Sequence, residues 1–151
     1  MLKWTVSILL LSLAFSWLWP DPSSAETLVT EAESRLPKDL DGGMGWRGIT
    51  RGPGIEQAAP PADQPITSPF VLQIRFHSRN AVEVDADSTK LTYLTLPPVD
   101  LTGRIRNHVS PAGIEITQAE APPGLHVLRV DVRDRQGRAS GVVIKFTVTE
   151  K

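Results

Sequence analysis

The chain has 151 residues, no Cys, and 16 Lys plus Arg set against 17 Asp plus Glu, a formal net charge of −1. That balance excludes the strongly basic face of a nucleic-acid binder. The lack of Cys excludes disulfides, thiol catalysis, Cys-ligated zinc and iron–sulfur clusters.

Met1-Leu2-Lys3 supplies a short positive region, and Trp4 to Trp19 is an uncharged apolar run closed by Pro20. Ser23-Ser24-Ala25 follows with small side chains. This pattern predicts a secretory signal peptide over 1–25, cleaved between Ala25 and Glu26. An apolar run of roughly 16 residues is short for a helix that needs about 20 to span a bilayer. The mature chain of about 126 residues fits one domain, without a stable membrane anchor, in the periplasm or outside the cell.

Residues 26–53 read as an N-terminal arm. Glu26 to Leu36 has a thin apolar spacing at Leu28, Val29, Ala32 and Leu36, enough for a short helix that ends before Pro37. Lys38 to Pro69 is rich in Gly and Pro, as in Asp41-Gly-Gly-Met-Gly-Trp-Arg-Gly, and reads as a flexible linker with one short strand at Ile55 to Ala58. Within it Trp46 is a candidate partner contact.

From Ser68 the pattern changes to period two, and a β domain over 54–151 is predicted. Phe70, Leu72, Ile74 and Phe76 share one face of a strand, with Val71, Gln73, Arg75 and His77 on the other. Asn80 to Ser88 reads as a strand edge running into a turn, and Asp85-Ala-Asp87-Ser88 as a loop whose carboxylates are candidate Ca²⁺ ligands. Leu91 to Leu96 is rich in β-formers and ends at Pro97-Pro98. Asp100 is placed to cap one or two helical turns carrying Leu101, Ile105 and Val109. Ile114 and Ile116 belong to a further strand. The chain closes with a hairpin around Gly137. Its first arm turns His126, Leu128, Val130 and Val132 inward. Its second turns Val142, Ile144, Phe146 and Val148 inward. No internal repeat is present.

Pro123-Gly124 leading into a strand, the strand end Asp131-Val-Arg-Asp134, the Gly137 turn and the last strand to Val148 resemble a bacterial immunoglobulin-like domain over Ile55 to Val148. The resemblance implies an antiparallel β-sandwich of about seven strands. Many such domains carry a Tyr shortly after the Pro-Gly lead-in, where this chain has His126. It also implies a spacer, adhesive or accessory role, here a non-catalytic binding or structural module of the bacterial envelope with a protein or glycan partner.

No nucleophile elbow, phosphate loop or His-Glu-x-x-His occurs, so neither catalytic residues nor a cofactor is expected. The alternative is a metal-binding protein, for copper or calcium, with His77, His108, His126, Asp85 and Asp87 as candidate ligands. Small exported copper carriers end in a similar hairpin, but this chain begins its mature part with Glu26-Thr27 and is poor in Met. Beside Trp46, the candidate partner contacts are Arg129, Arg133 and Arg135, on the outward face and turn of the closing hairpin.

Overall fold

The computed structural model describes residues 25–40 and 51–150. The segment expected to be a signal peptide, apart from Ala25, and Trp46 lie outside the described residues. In chain order the elements are β1 (Glu26–Thr27), α1 (Glu31–Ser34), β2 (Gly54–Ala59), β3 (Ile66–Thr67), β4 (Phe70–His77), β5 (Val84–Tyr93), β6 (Val99–Asp100), α2 (Thr102–Ile105), a 3-10 turn (Arg106–His108), β7 (Val109–Ser110), β8 (Gly113–Glu120), β9 (Gly124–Asp134) and β10 (Ala139–Thr149).

The strands form two five-stranded sheets, packed as a sandwich. One has the order β1-β8-β4-β2, with β7 also on β8, and the other β3-β10-β9-β5-β6. The long pairs are antiparallel, as expected. Two short edge pairs are parallel, β1 with β8 and β3 with β10, so both sheets are mixed. Pro60 and Pro61 separate β2 from β3 and let one chain segment serve first one sheet and then the other.

The period-two reading of the strands holds. Phe70, Leu72, Ile74 and Phe76 are buried while Val71 is 44% exposed. Across the hairpin Val142 pairs with Val130, Ile144 with Leu128 and Phe146 with His126, so the two inward sets coincide. Phe70 of one sheet meets Phe146 of the other at 5.2 Å between ring centroids, closing the core. One backbone position is dictated by close approach. Gly113 has φ +146°, and a Cβ there would lie 1.9 Å from the carbonyl oxygen of Ile74.

The free arm expected over 26–53 is not what residues 26–40 form. Leu28 and Val29 are fully buried members of the core. The Leu28 N–H donates to Glu120 at 2.9 Å, and the Leu28 carbonyl accepts from Arg104 Nη1 at 2.8 Å. The helix shrinks to the four residues of α1, held by a capping box in which Thr30 and Glu33 satisfy each other's backbone N–H. Arg104 then grips Glu33 through both guanidinium nitrogens, at 2.8 and 2.6 Å. That grip is the main reason the Glu33 carboxyl is lowered to about 2, helped by the Thr30 backbone and opposed by burial.

His126 takes the inward position assigned to it and is fully buried. Its Nε2 lies 2.7 Å from the Pro122 carbonyl, which can only accept, so Nε2 carries the proton. Nδ1 then accepts from the Tyr93 hydroxyl at 3.0 Å, and that hydroxyl accepts from Lys38 Nζ at 2.5 Å. Burial, aided by the nearby Lys38 charge, pushes the His126 imidazole below its ordinary value, with the Pro122 bond opposing. Burial also raises the Tyr93 phenol to about 12. The chain of bonds from Lys38 through Tyr93 and the neutral His126 to Pro122 therefore ties the N-terminal segment to the start of β9.

Candidate functional site: a charged cleft beside the β5 bulge

The outward residues of β9 alternate as Arg129, Asp131 and Arg133, facing Thr92, Lys90 and Asp85 of β5 across the ladder. Between Asp85 and Lys90 the register shifts, so four residues of β5 bulge away from β9. Asp85-Ala-Asp87-Ser88 is therefore part of a strand, not the loop the sequence suggested. Ser88 holds the bulge shut. Its hydroxyl donates to the Asp85 carbonyl at 2.6 Å and accepts from the Arg133 backbone N–H at 2.8 Å, replacing a missing ladder bond.

The bulge opens a cleft of about 740 Å³, walled on one side by Asp100, Thr102 and Arg106 and on the other by β9. Asp100 turns the chain into α2 by accepting from the Thr102 backbone N–H at 2.8 Å. The bonds from Thr102 hold its carboxyl below the usual range, with a smaller contribution from the charge of Lys90. On the β9 side Arg129 clasps Asp131 with Nε and Nη2, at 2.9 to 3.1 Å. The clasp lies flat because position 141 is Gly. A Cβ there would come within 2.5 Å of the Asp131 carboxylate.

The remaining charges are uncommitted. Among the described residues the side chains of Asp85, Asp87, Arg106 and Arg133 make no hydrogen bond or ion pair. Lys90 is exposed, and its only assigned interaction is the charge it exerts on Asp100. The cleft thus presents three cations and two carboxylates. Thr89, which also lines the cleft, is 4% exposed, and its buried Oγ1 has no partner. The same Thr89 lines a small cavity of about 50 Å³ under the bulge, between Ala86 and Val109. A buried hydroxyl left unpaired is a standing cost, removed when a ligand or water supplies the bond.

Of the residues singled out from the sequence, this cleft gathers Asp85, Asp87, Arg129 and Arg133. Arg135 stands apart, exposed at the sheet end and paired with Glu83 at 2.8 Å. The histidines are not brought together. His77 pairs with Glu56 at 2.9 Å, His108 with Glu26, and His126 is sealed in the core. Among the described residues no group of three or more His, Asp or Glu is placed to hold a metal ion. Sequence reasoning missed Lys90, Arg106 and Thr89 as cleft residues. The alternation could have given Lys90, whereas Arg106 reaches the site only through the packing of α2 against β5.

A second, more open depression of about 790 Å³ lies where the N-terminal segment crosses the sandwich, between Thr30 and Pro123. Glu31 and Arg35 neutralise each other on its rim. It contains none of the unpartnered buried polar atoms found among the described residues.

No family model and no curated protein matches the chain. Among solved structures, the crystal structure of CopC from Methylosinus trichosporium OB3b aligns with a TM-score of 0.44 and 17% identity, over 64% of this chain and 92% of that one. A likeness at that level assigns neither family nor ligand, and the functional reading rests on the cleft.

Proposed function

We propose that the mature chain is a non-catalytic, immunoglobulin-like binding module of the bacterial envelope, exported by its first 25 residues. The strand order supports the immunoglobulin-like reading. β2, β4 and β8 correspond to the A, B and E positions of such a sandwich, and β10, β9 and β5 to G, F and C. The Nε2–H of His126 donates to a backbone carbonyl four residues upstream, the bond that a Tyr makes at the corresponding corner. A non-catalytic role is supported by the burial of the Tyr93–His126 hydroxyl–imidazole pair, whose members are both 0% exposed and out of a substrate's reach. Among the described residues no helix is long and apolar enough to cross a membrane.

The observation that carries the binding role is the set of uncommitted charges around the β5 bulge. Solvated sheet faces commonly neutralise their charges in cross-strand pairs. Here Arg133 and Asp85 are cross-strand partners, yet form no ion pair and face a concave wall contributed by α2. The test is co-sedimentation of the exported chain with isolated cell envelopes. The wild type is expected to be retained, and a Lys90→Ala, Arg106→Ala, Arg133→Ala variant to be released with its melting temperature unchanged. Equal retention of the two would reject the cleft as the contact surface.

A further inference from the structure

Resting on that reading, we infer that the cleft binds a carboxylate-bearing glycan, with Lys90, Arg106 and Arg133 taking the carboxylate and Asp85 and Asp87 taking sugar hydroxyls. The choice of ligand class follows from what lines the cleft and what it lacks. Protein interfaces are anchored by Trp, Tyr, Phe or Met in a desolvated centre. The apolar lining here is limited to Val132 and Ala139. A neutral sugar face is usually held by stacking on an aromatic ring, and no aromatic residue lines this cleft. A dense polyanion such as a phosphate polymer is opposed by the carboxylates of Asp85 and Asp87, which no cation among the described residues neutralises by a direct pair.

A sparsely charged, hydroxyl-rich chain meets none of these objections. Carboxylates accept strong hydrogen bonds from hydroxyl groups, and Arg side chains grip a carboxylate through two parallel N–H bonds. Arg133 and Arg106 stand on opposite walls, with Lys90 on β5 between the bulge and the helix. Asp87 is the exposed residue of the bulge and Asp85 is half-buried beside it, so both carboxylates are open to a ligand. Arg129 is held by Asp131 and shapes the wall without being required as a donor to the ligand.

The experiment is calorimetric titration of the exported chain with a galactose trisaccharide capped by a single galacturonate, the corresponding neutral galactose tetramer and inorganic phosphate. Binding of the uronate is expected, with no heat from the neutral tetramer and no competition by millimolar phosphate. Lys90→Gln combined with Arg133→Gln should weaken uronate binding by about tenfold or more, the loss of a charge-assisted contact. The decisive variant is Asp85→Ala with Asp87→Ala. If these carboxylates accept sugar hydroxyls, their removal weakens uronate binding severalfold. If the cleft is only an electrostatic attractor, removal of two negative charges strengthens it, and the inference is overturned. Absence of uronate binding, equal binding of the neutral tetramer, or displacement by phosphate overturns it as well. Envelope retention that is lost in the triple cation variant, without uronate binding, would sink the glycan assignment and leave the binding module standing. Retention unaffected by that variant would remove both.

Discussion

Leu28→Ala tests whether the N-terminal segment belongs to the fold. Leu28 is fully buried among the core residues, next to the equally buried Val29, and its backbone is fixed by Glu120 and Arg104. The substitution removes three carbons from the core, about 2.4 kcal/mol at roughly 0.8 kcal/mol each. A cavity that relaxes only in part adds about 1 kcal/mol, giving a loss of about 3–4 kcal/mol. For a chain of about 126 residues this lowers the melting temperature by about 11–15 °C. The assay is urea unfolding of the chain from Glu26 followed by far-UV circular dichroism, with Leu40→Ala as the comparison. Leu40 is 54% exposed, so its truncation should change stability by less than about 0.5 kcal/mol. A Leu28→Ala loss below about 1 kcal/mol, or no larger than that of Leu40→Ala, would refute the packing argument and restore the picture of a dispensable arm.

Four further outcomes follow from the same structure. Gly113→Ala places a methyl group against the Ile74 carbonyl at a positive φ, so a loss of about 3 kcal/mol or more is expected in thermal melts; a near-neutral effect would show that β4 and β8 do not approach so closely there. The wild type should lose stability on acidification in two stages. His126 is kept neutral in the fold, so the loss begins as pH falls below its unfolded value of about 6.5, where only the unfolded chain takes up the proton. The contribution of Glu33 is full above 4.5 and is lost between 4.5 and about 2. Glu33→Gln should remove about 1–3 kcal/mol at neutral pH and flatten the lower stage while leaving the upper one; an unchanged profile would count against the Arg104 grip. Ser88→Ala breaks both bonds that close the β5 bulge, with an expected cost of about 1–2 kcal/mol and altered amide exchange at Arg133, and wild-type exchange there would refute its role. Mass spectrometry of the exported chain should find Glu26 at the N-terminus, since β1 begins at that residue; a retained leader would refute cleavage.

The core strands were legible because each obeys a local rule. The alternation from Phe70 to Phe76 needs nothing beyond period two to assign its buried face, and the same holds for the closing hairpin except at Val127, which falls on the outward phase yet is fully buried. Even the polar His126 was assigned inward by its phase. What the phase did not show is that Tyr93 and Pro122 would satisfy its ring, since Tyr93 lies 33 residues away and Pro122 is reached only through the bend that leads into β9. The N-terminal segment was misread for a related reason. A two-residue parallel pair such as Glu26 with Ala119 leaves no periodic trace, and consecutive Leu28 and Val29 fit neither one helix face nor one strand face. The Asp85–Ser88 stretch has the composition of a turn, and Asp and Ser favour turns because their side chains bond nearby backbone. In the fold Ser88 does bond backbone, but that of Arg133 on the neighbouring strand as well as that of Asp85, and this long-range bond converts a turn signal into a bulge.

That conversion also explains why the candidate site sits where it does. Along β9 and β10 the outward faces are shallow, and Gly141 even lets the Arg129–Asp131 clasp lie flat. A regular β5 would extend this flat surface, with the ladder running on unbroken past the Asp85–Arg133 pair. The bulge interrupts the ladder between Asp85 and Lys90, so that Asp87 has no partner on β9 and Thr89 lines the small cavity beneath. The α2 turn, anchored to β5 by the Leu101 N–H on the Leu91 carbonyl and by the Leu91 N–H on Thr102, then supplies a second wall at fixed distance. A local irregularity on a rigid frame is what a binding surface requires. The frame limits the entropy lost on binding, and the irregularity leaves charged groups without internal partners. Removing the bulge by deletion of Asp87 and Ser88 should therefore abolish envelope retention while the hairpin and core persist. Retention surviving that deletion would mean that the contact surface lies elsewhere on the sandwich.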